Sequence, residues 1–247
     1  MPEFCPRCFW LDRHYDLPFG GPFPGIFSSL DSYSKKVVHA SFDRHGTPPS
    51  WLAPLGSFTS YIPPPAPQKF FIDDDATGIR LTGTPDGILV RADGRKVIVD
   101  YKTAKHTEAQ DELRPIYEVQ LNGYARIAEA RGLGPVDRLA LVYTEPITDG
   151  PPGLFESART EEGFVMGFRA TLEDVPLDPD LLPPLMRRAR EIYDAPRPPD
   201  AARAARIATA SPSSPSPPRT GRSGIRYPGP LPDQRYENGP DGTARSR

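Results

Sequence analysis

Two aspartates and a lysine, Asp86, Asp100 and Lys102, stand in a pattern that suits metal-assisted chemistry on a phosphate. The first lies in Gly83-Thr84-Pro85-Asp86-Gly87; the other two close the run Val97-Ile98-Val99-Asp100-Tyr101-Lys102-Thr103. Paired carboxylates make a hard-oxygen site of the kind that Mg2+ or Mn2+ prefers. An ion held there polarises a phosphate ester, lowers the pKa of a water and offsets developing charge. Without the ion, the carboxylates repel each other and the phosphate backbone alike. A lysine beside it positions the water and neutralises the pentavalent phosphate. Asp-x-Lys alone is usually solvated surface charge. Its weight here comes from ending an apolar strand behind a Gly-x-x-Asp hairpin.

The chemistry needs all three side chains on one face. Residues two apart on a strand share a face, so Asp100 and Lys102 already agree. Asp86 joins them only in one parity of an antiparallel hairpin. A two-residue loop at Asp93-Gly94 pairs Asp86 with Tyr101 and sends the carboxylates to opposite faces. A three-residue loop, Ala92-Asp93-Gly94, pairs Asp86 with Asp100, and Gly94 suits the left-handed third position of such a loop. The odd loop, or an equivalent bulge, is therefore expected. Carboxylates on opposite faces would instead mark an unrelated α/β protein whose hairpin charges are incidental.

Other elements must carry this hairpin. From Ile26 to about His45, Phe27, Leu30, Tyr33, Val37, Val38 and Phe42 recur at helical steps, stopped by Gly46 and Pro48-Pro49. Pro63 to Pro67 form an extended connector. Ile79 to Val90 and Lys96 to Tyr101 are the two strand-like runs. Pro115 opens a helix to about Arg131, with Gly132 at its stop. Val136 to Tyr143 and Phe164 to Leu172 read as further strands, and Asp180 to Tyr193 as a last helix. In the helix from Pro115, Gln120 and Tyr124 share the stripe of Ile116 and Ile127, where apolar residues belong. A buried Gln needs partners. Neighbouring backbone could supply them; so could a phosphate, a metal-bound water or Lys102 at the site edge.

Taken in order, Gly83-x-x-Asp86, Asp100-x-Lys102-Thr103 and Gln120-Leu121-x-x-Tyr124-Ala125 resemble the RecB-type branch of the PD-(D/E)XK nuclease superfamily. The resemblance covers roughly residues 26–145. It implies an α/β fold, with a central mixed β-sheet flanked by helices in a restriction-endonuclease-like core. It also implies metal-dependent cleavage of DNA, in repair, recombination or defence, beside helicase or repair partner proteins. On this match Asp86 and Asp100 are ligands of Mg2+ or Mn2+, Lys102 is the catalytic lysine, and Gln120 and Tyr124 are supporting or DNA-binding residues. Some relatives add a His of the first helix as a ligand, and His39 is the matching position. The rival reading is a non-catalytic nucleic-acid-binding module on the same fold.

Composition bounds these readings. The 247 residues carry a net charge of −2, and residues 196–247 alone hold nine Arg, no Lys and four acids. That tail is therefore +5 and the rest −7, so no domain-wide basic field exists and any DNA contact relies on a local patch and bound cations. No apolar run is long enough to span a membrane and no secretion signal is read at the start; with two cysteines only, a reducing cytoplasm is the expected location.

Two cysteines argue against a disulfide framework. Cys5 and Cys8 have the spacing of a metal knuckle, yet they are half a site. Several RecB-type nucleases hold an iron–sulfur cluster with one N-terminal and three C-terminal cysteines. This chain lacks the C-terminal ones, so neither that cluster nor zinc is expected. Residues 1–25 read as an irregular Cys/aromatic arm, 26–195 as the nuclease-like domain, and 196–247 as a disordered Pro/Ser/Arg-rich tail. The codons of Ala202 to Ala208 can be chosen so that a shifted frame reads Pro-Gly-Cys-Ala-Asp-Cys. An out-of-frame tail is thus an alternative to an authentic one.

Overall fold

The computed structural model describes residues 5–16, 24–104 and 113–200. Cys5 caps the first helix, α1 (Pro6–Tyr15), where its sulfur accepts the Cys8 N–H. Proline at the first helical position costs no bond there, because its N–H would have no partner. α2 (Gly25–His45) stops at Gly46, and a 3-10 helix (Ser50–Leu55) follows the two prolines. Five strands come next: β1 (Phe58–Ile62), β2 (Phe71–Asp74), β3 (Ile79–Thr82), β4 (Gly87–Arg91) and β5 (Lys96–Lys102). Then come α3 (Arg114–Ala130), β6 (Val136–Pro146), a short α4 (Pro152–Ser157), β7 (Phe168–Val175) and α5 (Leu182–Asp194).

One five-stranded sheet in the order β1-β4-β5-β6-β7 organises the fold, and β2 and β3 form a separate two-stranded sheet. β5 and β6 are parallel, joined through α3, while the other neighbours run antiparallel. A parallel pair needs such a crossover. It also buries both faces of its strands, which explains why Val97 to Tyr101 are all buried. On one face Ile88, Ile98, Leu139 and Leu141 pack with Leu121, Ala125 and Ala128 of α3. On the other, Leu89, Val97, Val99, Ala140 and Val142 meet Val38 and Phe42 of α2 and Leu52 and Leu55. The result is the expected α/β sandwich, a mixed sheet between helices. Ile98 is 0% exposed at its centre, so Ile98→Ala should cost about 2–5 kcal/mol in denaturant unfolding with an unchanged m-value.

Several expectations are corrected. Ile79 to Val90 is not one strand: β3 pairs with β2, and the chain breaks at Gly83 to Asp86 before β4 enters the main sheet. Pro85 cannot donate to a ladder, which favours the break. The β2–β3 ribbon lies along α3, tied by Arg126 Nη2 to Asp74 Oδ1 at 3.3 Å. The last strand begins at Phe168 rather than Phe164, and Phe164 is 75% exposed. The N-terminal arm holds helix α1, which docks on α5: Trp10 Nε1 donates to the Ala195 carbonyl at 2.9 Å and His14 stacks on Tyr193. Where cysteine count argues against a disulfide framework, Cys5 and Cys8 form one local bridge over the first turn of α1. Among the described residues no helix is long and apolar enough to cross a membrane. The tail from residue 201, including Ala202 to Ala208, lies outside the described residues.

Candidate active site

Hairpin register decides which side chains meet. Arg91 N–H donates to the Arg95 carbonyl at 2.9 Å, and Gly94 N–H closes the turn on the Arg91 carbonyl at 2.9 Å. Ala92, Asp93 and Gly94 are therefore the loop, with Gly94 at a left-handed φ of 84°. Gly87 pairs with Val99 and Ile88 with Ile98. This is the parity in which a continued ladder would set Asp86 opposite Asp100. A slip of one residue would have set Asp86 opposite Tyr101.

Asp100 is 3% exposed. Its Oδ2 lies 2.5 Å from Lys102 Nζ, and its Oδ1 accepts from Gln120 Nε2 at 3.1 Å. Gln120 Oε1 accepts in turn from Lys102 Nζ at 3.3 Å, and its Nε2 donates to the Tyr124 hydroxyl at 2.8 Å. One amide thus spans the acid and the base, in the orientation that satisfies both: nitrogen to carboxylate, oxygen to ammonium. Here is the reason for polar residues on the buried stripe of α3. Tyr117, one turn before Leu121, puts its ring 4.0 Å from Lys102 Nζ. Asp86 Oδ2 accepts the Tyr101 backbone N–H at 2.9 Å, and its Oδ1 lies 2.7 Å from Lys35 Nζ on α2.

Gly83 belongs to this construction by its lack of a side chain. A Cβ there would collide with the Tyr124 ring. Gly83→Ala should move that ring off Gln120 and cost about 1–3 kcal/mol, read as a lowered Tm.

Burial pushes the Asp100 carboxyl up to about 6; Asp86 adds to the rise, and Lys102 and Lys35 oppose it. For Lys35, burial pushes the ammonium down, but Asp86 and Asp31 outweigh it and leave the group above its ordinary value. Among the described residues no three His, Cys, Asp or Glu side chains gather as a ready metal cage. Asp100 Oδ2 is nonetheless buried without a well-angled hydrogen bond, countered by the Lys102 ammonium beside it. An orphaned carboxylate oxygen facing a second carboxylate fits a hard divalent ion that keeps several waters. Asp86 and Asp100 are the residues that would hold it.

Among the described residues His39 does not gather with Asp86 and Asp100 as a three-residue metal cluster. Its ring stacks on Tyr61, centroids 4.2 Å apart, and burial pushes its pKa down. Cys5 and Cys8 are bonded to each other at the start of α1. Sequence reasoning missed Lys35 and Asp31. Their i,i+4 spacing on the stripe that also carries Val38 and Phe42 was the available signal.

A helix-flanked mixed sheet whose central hairpin presents Asp, Asp and Lys at its open end is the architecture of a nuclease-type α/β domain. The chain belongs to the PD-(D/E)XK nuclease superfamily, whose family model matches residues 32–206. No curated protein matches the chain.

Proposed function

We propose that this chain is a divalent-metal-dependent deoxyribonuclease of the RecB-type branch, hydrolysing DNA phosphodiesters in repair, recombination or defence. The observation that carries this reading is Lys102 in contact with the buried Asp100 carboxylate, with Asp86 just before the Gly87–Val99 pair and accepting the Tyr101 N–H. Asp86 and Asp100 would hold the Mg2+ or Mn2+ ion, which when bound would supply Lewis acidity toward the phosphate and a better nucleophile from water. The rest is done by the chain. Lys102 donates to Gln120 and lies beside the Asp100 carboxylate, where its charge can offset the negative charge that builds on a phosphate oxygen. Gln120 holds that ammonium in place, and Tyr124 holds Gln120.

Labelled single- and double-stranded DNA incubated with Mg2+, Mn2+ or a chelator tests the proposal. Metal-dependent shortening of either strand form supports it and reports the preferred substrate. A folded protein that binds both DNAs and cuts neither would hand the lead to the non-catalytic binding module.

A further inference from the structure

Lys35 comes to this site from α2 rather than from the hairpin or α3. Its Nζ lies 2.7 Å from Asp86 Oδ1 and 2.7 Å from Asp31 Oδ2, and its side chain is only 23% exposed. Asp31 is one turn back on the same helix, so α2 delivers both a carboxylate and the cation that bridges it to Asp86. Val38 and Phe42, buried against the sheet, fix the depth of that helix and hence of the ammonium. A positive centre held between oxygens of two carboxylates occupies the kind of seat a hard metal ion takes.

We propose that Lys35 is the built-in second cation of this site, so that the site takes one divalent ion and not two. The inference rests on the reading of Asp86 and Asp100 as the metal-holding pair. Charge balance favours it. Among the described residues, Asp31, Asp86 and Asp100 against Lys35 and Lys102 leave one negative charge. One divalent ion turns this into one positive charge. A second would leave three, beside two lysines, and would have to drive the Lys35 ammonium off both of its carboxylates. Each aspartate of the pair already has its own lysine: Lys102 for Asp100, Lys35 for Asp86.

The test is the number of Mn2+ ions bound by the full chain, counted by equilibrium dialysis and calorimetry. Wild type should take one. Lys35→Met keeps the length of the side chain and removes its charge; it should take two, with the tighter site strengthened about tenfold or more. Lys35→Arg keeps the charge and should still take one, which holds the proposal to account even if the Met variant folds poorly. Two ions on wild type, or one ion of unchanged affinity on a folded Lys35→Met, would overturn the proposal while leaving the metal-centre reading intact. No uptake by wild type would overturn both.

Discussion

Lys102→Met should slow cleavage about 100- to 1000-fold at saturating metal, the range seen when one donor to a developing oxyanion is removed. Mn2+ binding should tighten at the same time, because Asp100 loses the ammonium 2.5 Å from its Oδ2. These opposite movements separate a catalytic lysine from a structural one. A lysine that merely neutralised Asp100 would change stability and leave the rate at saturating metal alone. Stability should move as well: a carboxylate 3% exposed and stripped of its counter-ion lowers the Tm of the metal-free protein, and added Mn2+ restores it. Single-turnover rates, calorimetry and thermal scans on the same preparation read all three effects.

Metal affinity should depend on pH through the Asp100 carboxyl, which burial, and then Asp86, raises from 3.8 to about 6. Between about pH 3.8 and about pH 6 the folded protein therefore holds this proton while the unfolded chain has released it. Burying the ionised form is a cost felt above about pH 6, and it is relieved as pH falls toward the unfolded value. A metal needs the ionised form. Below about pH 6, binding must displace a proton, and apparent Mn2+ affinity should fall about tenfold for each further pH unit; above it the affinity should level off. Calorimetric Kd values from about pH 5 to about pH 8 would show the bend. Asp100→Asn should bind weakly throughout, with no bend. A wild-type Kd constant through this range would show that Asp100 does not carry the proton in question.

The register of the hairpin was legible because loop chemistry and strand parity constrain each other: Gly94 selects the odd loop, and a ladder continued from the odd loop would set Asp86 opposite Asp100. Gln120 and Tyr124 were legible as polar residues on a stripe that should be apolar. The long helices and β6 followed from periodicity. What escaped notice depends on contacts distant in sequence. Gly83 and Pro85 split an apparently continuous strand, and the split makes sense only once the Tyr124 ring fills the space beside Gly83. Phe71 to Asp74 is short and half acidic, and it becomes a strand by pairing with β3. α1 owes its place to Trp10 and His14 docking on α5, far along the chain. Lys35 has an obvious helical partner in Asp31, but its second partner, Asp86, is visible only in three dimensions.

The proposed nuclease chemistry requires Asp86 and Asp100 to hold the metal. The most direct measurement is single-turnover DNA cleavage by wild type, Asp86→Ala and Asp100→Ala across a Mn2+ series, each variant first shown to be folded. Wild type should show saturable Mn2+ dependence, and both variants a loss of at least about 1000-fold that raising the metal does not recover. Cleavage at the wild-type rate by either folded variant would contradict that requirement and place the metal elsewhere.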